Sequence, residues 1–188
     1  MKIELITQPA SLPIDLSKIK SFMRIIGDED DATITQMLLA SINRAEMLTN
    51  RQLGGIATFS LYLDKMPSCS KIKLPKSPLV EIVSVKYRDE DENEQTLDAS
   101  EYWVDEKSTP AELTFVNPEK ATSPKPNAVT ILFRAGYETI PAEVVHWLCI
   151  MTGTMYEHRE RFVVGASIAE FSNDYVDGLL DSLRIVPI

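Results

Sequence analysis

The chain has 188 residues, 44% hydrophobic and 25% charged, with a formal net charge of -9. That length and balance suit one core and a second, smaller one, and the acidic excess argues against general nucleic-acid binding, which needs clustered Lys and Arg. No run approaches the roughly 18–20 apolar residues of a membrane span, and MKIELITQPASLP lacks a signal peptide's apolar run, so a soluble chain made in the cytoplasm is expected.

Residues 1–13 carry Ile3, Leu5 and Ile6 together with Pro9 and Pro13. They read either as an extended arm that ties neighbouring subunits together or as a short edge strand on their own domain. Asp15 to Ile26 reads as a helix, with Asp15 as cap, a stripe of Leu16, Ile19, Phe22, Met23 and Ile26, and Gly27 as the stop. Asp28-Glu29-Asp30-Asp31 lacks the alternating ligands and central Gly of a calcium loop, so Asp30 or Asp31 is expected to cap the next helix. That helix runs from Ala32 to Arg51, with Ile34, Leu38, Ser41, Ile42, Ala45 and Leu48 at three-four spacing. Small Ser41 and Ala45 permit close approach, either inside the subunit or at a seam between subunits. Gly54-Gly55 ends it.

The period then changes from helical to alternating. Ala57–Leu63, residues 70–74, Leu79–Arg88, Tyr102–Val104, Glu112–Val116 and Ala128–Arg134 read as strands. Gln95–Leu97 reads as the return of a hairpin whose charged turn is Glu90-Asp91-Glu92-Asn93-Glu94. Alternation places Val83, Val85 and Tyr87 on one face of the longest strand. Pro141–Arg161 reads as a long helix with Pro141 in its first turn and a wide apolar face from Val144 to Tyr156. An unpatterned apolar stretch, 162–171, leads to a closing helix capped by Ser172 or Asn173, and the chain ends in apolar Ile185-Val186-Pro187-Ile188.

The expected fold class is α+β. An N-terminal helix pair and the C-terminal helices form a helical core, with an inserted antiparallel β-sheet or small sandwich. The boundaries fall at 1–54, 55–137 and 138–188, and the two helical parts pack as one domain.

Nothing in this order points to catalysis. His146 and His158 lie twelve positions apart with no Cys or His at ligand spacing, so no zinc site is expected. Cys69 and Cys149 give no basis for a disulfide. There is no nucleophile elbow and no phosphate-cradling Gly loop. Glu157 and Glu160 beside Arg159 and Arg161 read as helix-end ion pairs. The reading is of a protein that is not an enzyme, with no cofactor and no metal.

The ordered series of features resembles the head–tail connector family of long-tailed phages. Three segments carry it. One is Leu16-Ser-Lys-Ile-Lys-Ser-Phe-Met-Arg-Ile25 with Asp30-Asp31 and the helix ending Glu46-Met-Leu-Thr-Asn-Arg-Gln-Leu53. The second is Ile72-Lys-Leu-Pro75 with Ser77-Pro-Leu-Val80 and Val85-Lys-Tyr87. The third is Phe133-Arg-Ala-Gly-Tyr137, Ile140-Pro141, Tyr156-Glu-His-Arg159 and Leu179-Leu180. Short members of that family are mostly helical, so this chain looks like a longer variant with a β insertion.

The resemblance implies a structural protein of the virion's head–tail junction, in a ring of about a dozen copies beneath the portal. It implies three partners: itself, the portal protein, and another head-completion or tail protein. DNA would pass through unbound, and no membrane is involved. The candidate subunit interface is Ile34, Leu38, Ser41, Ala45, Tyr156 and Arg159. The candidate portal contact is Phe162, Phe171, Ile185, Val186 and Ile188. The candidate channel or docking loop is Glu90, Asp91, Glu92 and Glu94. The rival reading is a DNA-packaging accessory that binds DNA or the packaging motor, which would show salt-sensitive DNA affinity.

Overall fold

A computed structural model describes residues 1–67, 71–118, 122–158 and 176–186. The chain divides into two compact units: residues 1–10 with 55–137, and residues 11–54 with 138–188. It is α+β, with helices and antiparallel sheets held in different units.

The first unit is built of strands. β1 (Lys2–Thr7), β2 (Ala57–Leu63), β4 (Leu79–Arg88), β5 (Glu94–Thr96) and β8 (Val129–Ala135) form a five-stranded sheet in the order β1-β2-β8-β4-β5. β3 (Lys71–Lys73), β6 (Tyr102–Asp105) and β7 (Glu112–Phe115) form a three-stranded sheet in the order β3-β7-β6. All pairings are antiparallel. One core joins both sheets: Phe59, Leu61, Val85, Ile131 and Phe133 from the larger meet Leu113 and Phe115 from the smaller. Phe59 and Phe133 stack across β2 and β8, with ring centroids 5.7 Å apart. The N-terminal strand thus belongs to the sheet unit, paired with β2.

β4 departs from simple alternation. Its register against β8 shifts between Leu79 and Glu81 and again between Ile82 and Ser84. Val80 and Val83 are the extra residues, so Leu79, Ile82, Val85 and Tyr87 face the core while Val83 turns outward, 48% exposed. The expectation that Val83 shares a face with Val85 and Tyr87 therefore fails for a specific reason: the bulge at Val83 reverses the alternation, and the one at Val80 restores it for Leu79.

The second unit is helical. α1 (Leu16–Met23), α2 (Asp31–Thr49) and α3 (Ala142–Glu157) pack together with a 3₁₀ turn at Gly178–Leu183. α1 stops at Arg24, which is left-handed (φ 57), and not at Gly27. The Ile25 N–H bonds back to the Lys20 carbonyl and closes the end. Ile26 consequently lies past the helix, 97% exposed, and takes no part in its stripe. Asp30 stands at the N-cap of α2, but its side chain makes no cap bond. The carboxylates there have other partners: Lys20 Nζ lies 2.7 Å from both Asp28 and Asp31, and Asp30 accepts from Tyr156. The closing segment is 3₁₀ at Gly178–Leu183, with Leu180 fully buried; the expected caps Ser172 and Asn173 lie outside the described residues.

Candidate assembly surfaces

In the helical unit the α2–α3 seam is closed. Ile34, Leu38, Ser41 and Ala45 are all 0% exposed. The Thr152 hydroxyl lies 3.4 Å from the Ser41 hydroxyl, which in turn bonds the Met37 carbonyl at 2.9 Å. Side chains already packed inside their own chain cannot also form the surface a second copy meets, so these four are not interface residues. Tyr156, half-buried, donates its hydroxyl to Asp30. Arg159 lies outside the described residues, as do Phe162, Phe171 and Ile188.

α3 is anchored by Trp147, which is fully buried and whose Nε1–H donates to Asp177 at 3.2 Å. His146, one position earlier, is exposed and meets the Phe22 ring edge-on at 6.1 Å. Cys149 is buried, and that burial pushes its thiol pKa up and keeps the sulfur unreactive. Between the end of α1 and the last turns of α3 lies a groove of about 380 Å³, lined by Phe22, Met23, Ile150 and Gly153 and rimmed by Arg24, Glu157 and His158.

The chain end is held to the end of α2. Ile185 N–H donates to the Thr49 carbonyl, Asn50 Nδ2 to the Ile185 carbonyl at 2.7 Å, and Arg51 Nε to the Leu183 carbonyl at 2.6 Å. Ile185 is half-buried by this clamp, whereas Val186 is 77% exposed. Of the expected portal-contact residues that are described, Val186 alone offers a free apolar side chain.

In the sheet unit the acidic turn is internally organised. Asp89 accepts from the Asp91 and Asn93 amides and from Gln95 Nε2, and these bonds, that from Gln95 foremost, hold its pKa below the usual range. Glu92 accepts from Ser123 and lies 3.3 Å from Lys125 Nζ; Glu94 meets Lys86 at 2.7 Å. Both have lowered pKa values, chiefly through the Ser123 and Lys86 bonds respectively. Glu92 and Glu94 therefore bond within their own unit, and Glu90, Asp91 and Glu94 are exposed.

The surface also shows apolar residues that the sequence reading did not single out. Trp103 (69% exposed) and Val116 (55%) lie at the three-stranded sheet, and Leu39 (46%) and Met47 (72%) on the outer side of α2. Trp103 was within reach of alternation, because Tyr102 and Val104 face the core and the residue between must face out. Among the described residues no group of three or more His, Cys, Asp or Glu side chains is placed to hold a metal, and no helix is long and apolar enough to cross a membrane.

The fold is shared with chains of gene transfer agent particles. The protein aligns with a chain of the neck of an empty gene transfer agent particle, computed with C6 symmetry, at a TM-score of 0.81 and 18% identity, covering 100% of this chain and 97% of that one. A chain from the virion of the native gene transfer agent particle gives 0.80 and 19%, and one from the native neck, computed with C12 symmetry, gives 0.69 and 21%, both with the same coverage. No family model and no curated protein matches the sequence. At these identities the likeness establishes the fold.

Proposed function

We propose that this chain is a structural, non-enzymatic protein of a phage or phage-like neck, a head–tail connector that assembles into a ring beneath the portal. One observation carries the reading: the likeness to neck chains spans both units end to end, not one module. The neighbours' assemblies were computed with C6 and C12 symmetry, which supports a ring of six or twelve copies. The ring extends the DNA channel, and the net charge of -9 supports passage of DNA without retention.

In this reading the exposed Glu90 and Asp91 face the channel or the next protein. The C-terminal segment, with Phe162, Phe171 and Val186, meets the portal. Affinity comes from apolar burial multiplied by the number of copies.

Native mass spectrometry over a range of concentrations, alone and with portal protein, tests the ring. A closed oligomer of six or twelve copies is expected. A protein that stays monomeric in both settings overturns it. The portal contact is tested by pull-down with Phe162→Asp and Val186→Asp variants; unchanged capture by both overturns that assignment. Truncation after Arg161 is a poor test, because it removes Leu180 and Asp177 from the helical unit's own packing.

A further inference from the structure

Among the described residues, the five-stranded sheet ends at β1 on one side and at β5 on the other. At the first edge, all six residues of β1 are exposed. Ile3 and Leu5 stand opposite Leu61 and Phe59 and so share their face. Leu61 and Phe59 are 0% and 4% exposed, yet Ile3 and Leu5 are 37% and 47% exposed. The apolar interior of the unit thus continues along β1 and ends half-covered. At the other edge, β5 pairs only with Lys86–Arg88 of β4. Among the described residues no strand pairs with residues 79–84 on the side away from β8. Val80 and Val83 are exposed along that stretch.

The two edges match in direction. Three antiparallel steps, β1 to β2, β2 to β8 and β8 to β4, leave β1 and β4 running in opposite senses. A second copy's β1 laid along the open stretch of β4 therefore continues the antiparallel alternation without a break. The contact uses two different surfaces of one chain, which is what a cyclic ring requires. The pairing of β1 with β2 is regular from Lys2 to Leu5, and its register shifts only between Leu5 and Thr7. β1 holds no Pro, and its charges, Lys2 and Glu4, alternate with Ile3 and Leu5 and so stand on the opposite face. The bulges of β4 twist its edge and limit which strands can pair there.

We infer that Lys2–Thr7 of one copy adds to the open edge of residues 79–84 in the next, so that the sheet continues from copy to copy around the ring. This rests on the ring reading above and names the surface that makes it.

Two double variants test it: Ile3→Glu with Leu5→Glu, and Val80→Glu with Val83→Glu. Each of the four positions is more than a third exposed, so each variant monomer should still unfold cooperatively, with a fall in Tm too small to account for lost assembly. Native mass spectrometry of the full chain should show that each variant alone loses the oligomer, its self-association weakened at least about tenfold. Mixed together, the two should form heterodimers and stop there, because one intact edge from each remains. Oligomers from the parent and from both variants alike would overturn the strand contact and leave the ring standing. A parent that never oligomerises, alone or with portal protein, overturns both.

Discussion

The Tyr156 hydroxyl donates to the Asp30 carboxylate across 126 positions of sequence, joining the last turn of α3 to the start of α2. A hydrogen bond to a charged group contributes about 1.5–3 kcal/mol at best, less where water reaches it. Tyr156→Phe should destabilise the helical unit by about 1–2 kcal/mol, and Asp30→Ala by a similar amount. In urea unfolding followed by far-UV circular dichroism the double variant should cost less than the sum. Strict additivity would mean the two side chains do not couple.

The strands were legible because alternation and Pro-rich turns mark them locally; β2, β7 and β8 fall within a residue or two of where the sequence puts them. The face of β4 was not, because a bulge is set by the partner strand and leaves no mark on the period. The end of α1 was misplaced for a similar reason: Gly27 is the obvious stop, but Arg24 adopts the left-handed turn first. The α2 stripe was found, yet periodicity cannot say whether an apolar face meets its own chain or another. Burial answers that for Ile34, Leu38, Ser41 and Ala45. The apolar residues on β1 were visible as letters, but their exposure is set by tertiary packing, which the letters do not carry.

Two glycines should respond to alanine with opposite signs. Gly153 lies inside α3, and an added Cβ would meet Met23 at an ordinary 3.6 Å. Gly153→Ala should stabilise the helical unit by roughly 0.5–1 kcal/mol through helix propensity. Gly136 has φ +136, and its Cβ would lie 2.3 Å from the Gly55 carbonyl oxygen, a backbone atom that cannot step aside. Gly136→Ala should destabilise the sheet unit by at least about 2 kcal/mol. Thermal unfolding of the two variants checks both; a shift in the same direction would contradict the packing at one of them.

Acid should weaken the protein through a defined set of carboxylates. Lowered pKa values belong to Asp28 (bonded by Lys20), Asp89 (Gln95), Glu92 (Ser123), Glu94 (Lys86), Asp98 (the Ser100 N–H) and Asp105 (Ser108). Each folded value lies below the unfolded one, near 3.8 for Asp and 4.5 for Glu. Their contribution is therefore complete above the unfolded values and is lost as pH falls through the folded ones. Lys20 is raised by Asp28 and Asp31, so its share is present below 10.5 and is lost above it. The urea midpoint should stay level from about pH 5.5 to 8 and fall below about pH 4.5. Asp89→Asn should reduce the neutral midpoint and flatten the acid slope. An unchanged slope would mean that the turn does not carry this linkage.

The clamp on the chain end offers a test of how firmly Val186 is presented. Arg51 Nε and Asn50 Nδ2 hold two carbonyls, of Leu183 and Ile185, and the Ile185 N–H returns a bond to Thr49. These bonds satisfy carbonyl and amide groups that would otherwise need water, and they fix the direction in which the chain leaves the helical unit. Arg51→Met keeps the aliphatic stem and removes the donor. Amide exchange at Ile185 should then accelerate by about tenfold, while the Ile19 and Leu148 amides in the helices keep their protection. Asn50→Gly tolerates the left-handed backbone (φ 56) but loses the side-chain bond, so it should act in the same direction. Val186→Asp, which touches neither donor, should leave exchange unchanged. If Val186→Asp and Arg51→Met both weaken portal capture but only Arg51→Met raises exchange, the clamp positions a contact that Val186 makes. Unchanged exchange in Arg51→Met would remove the clamp from the account.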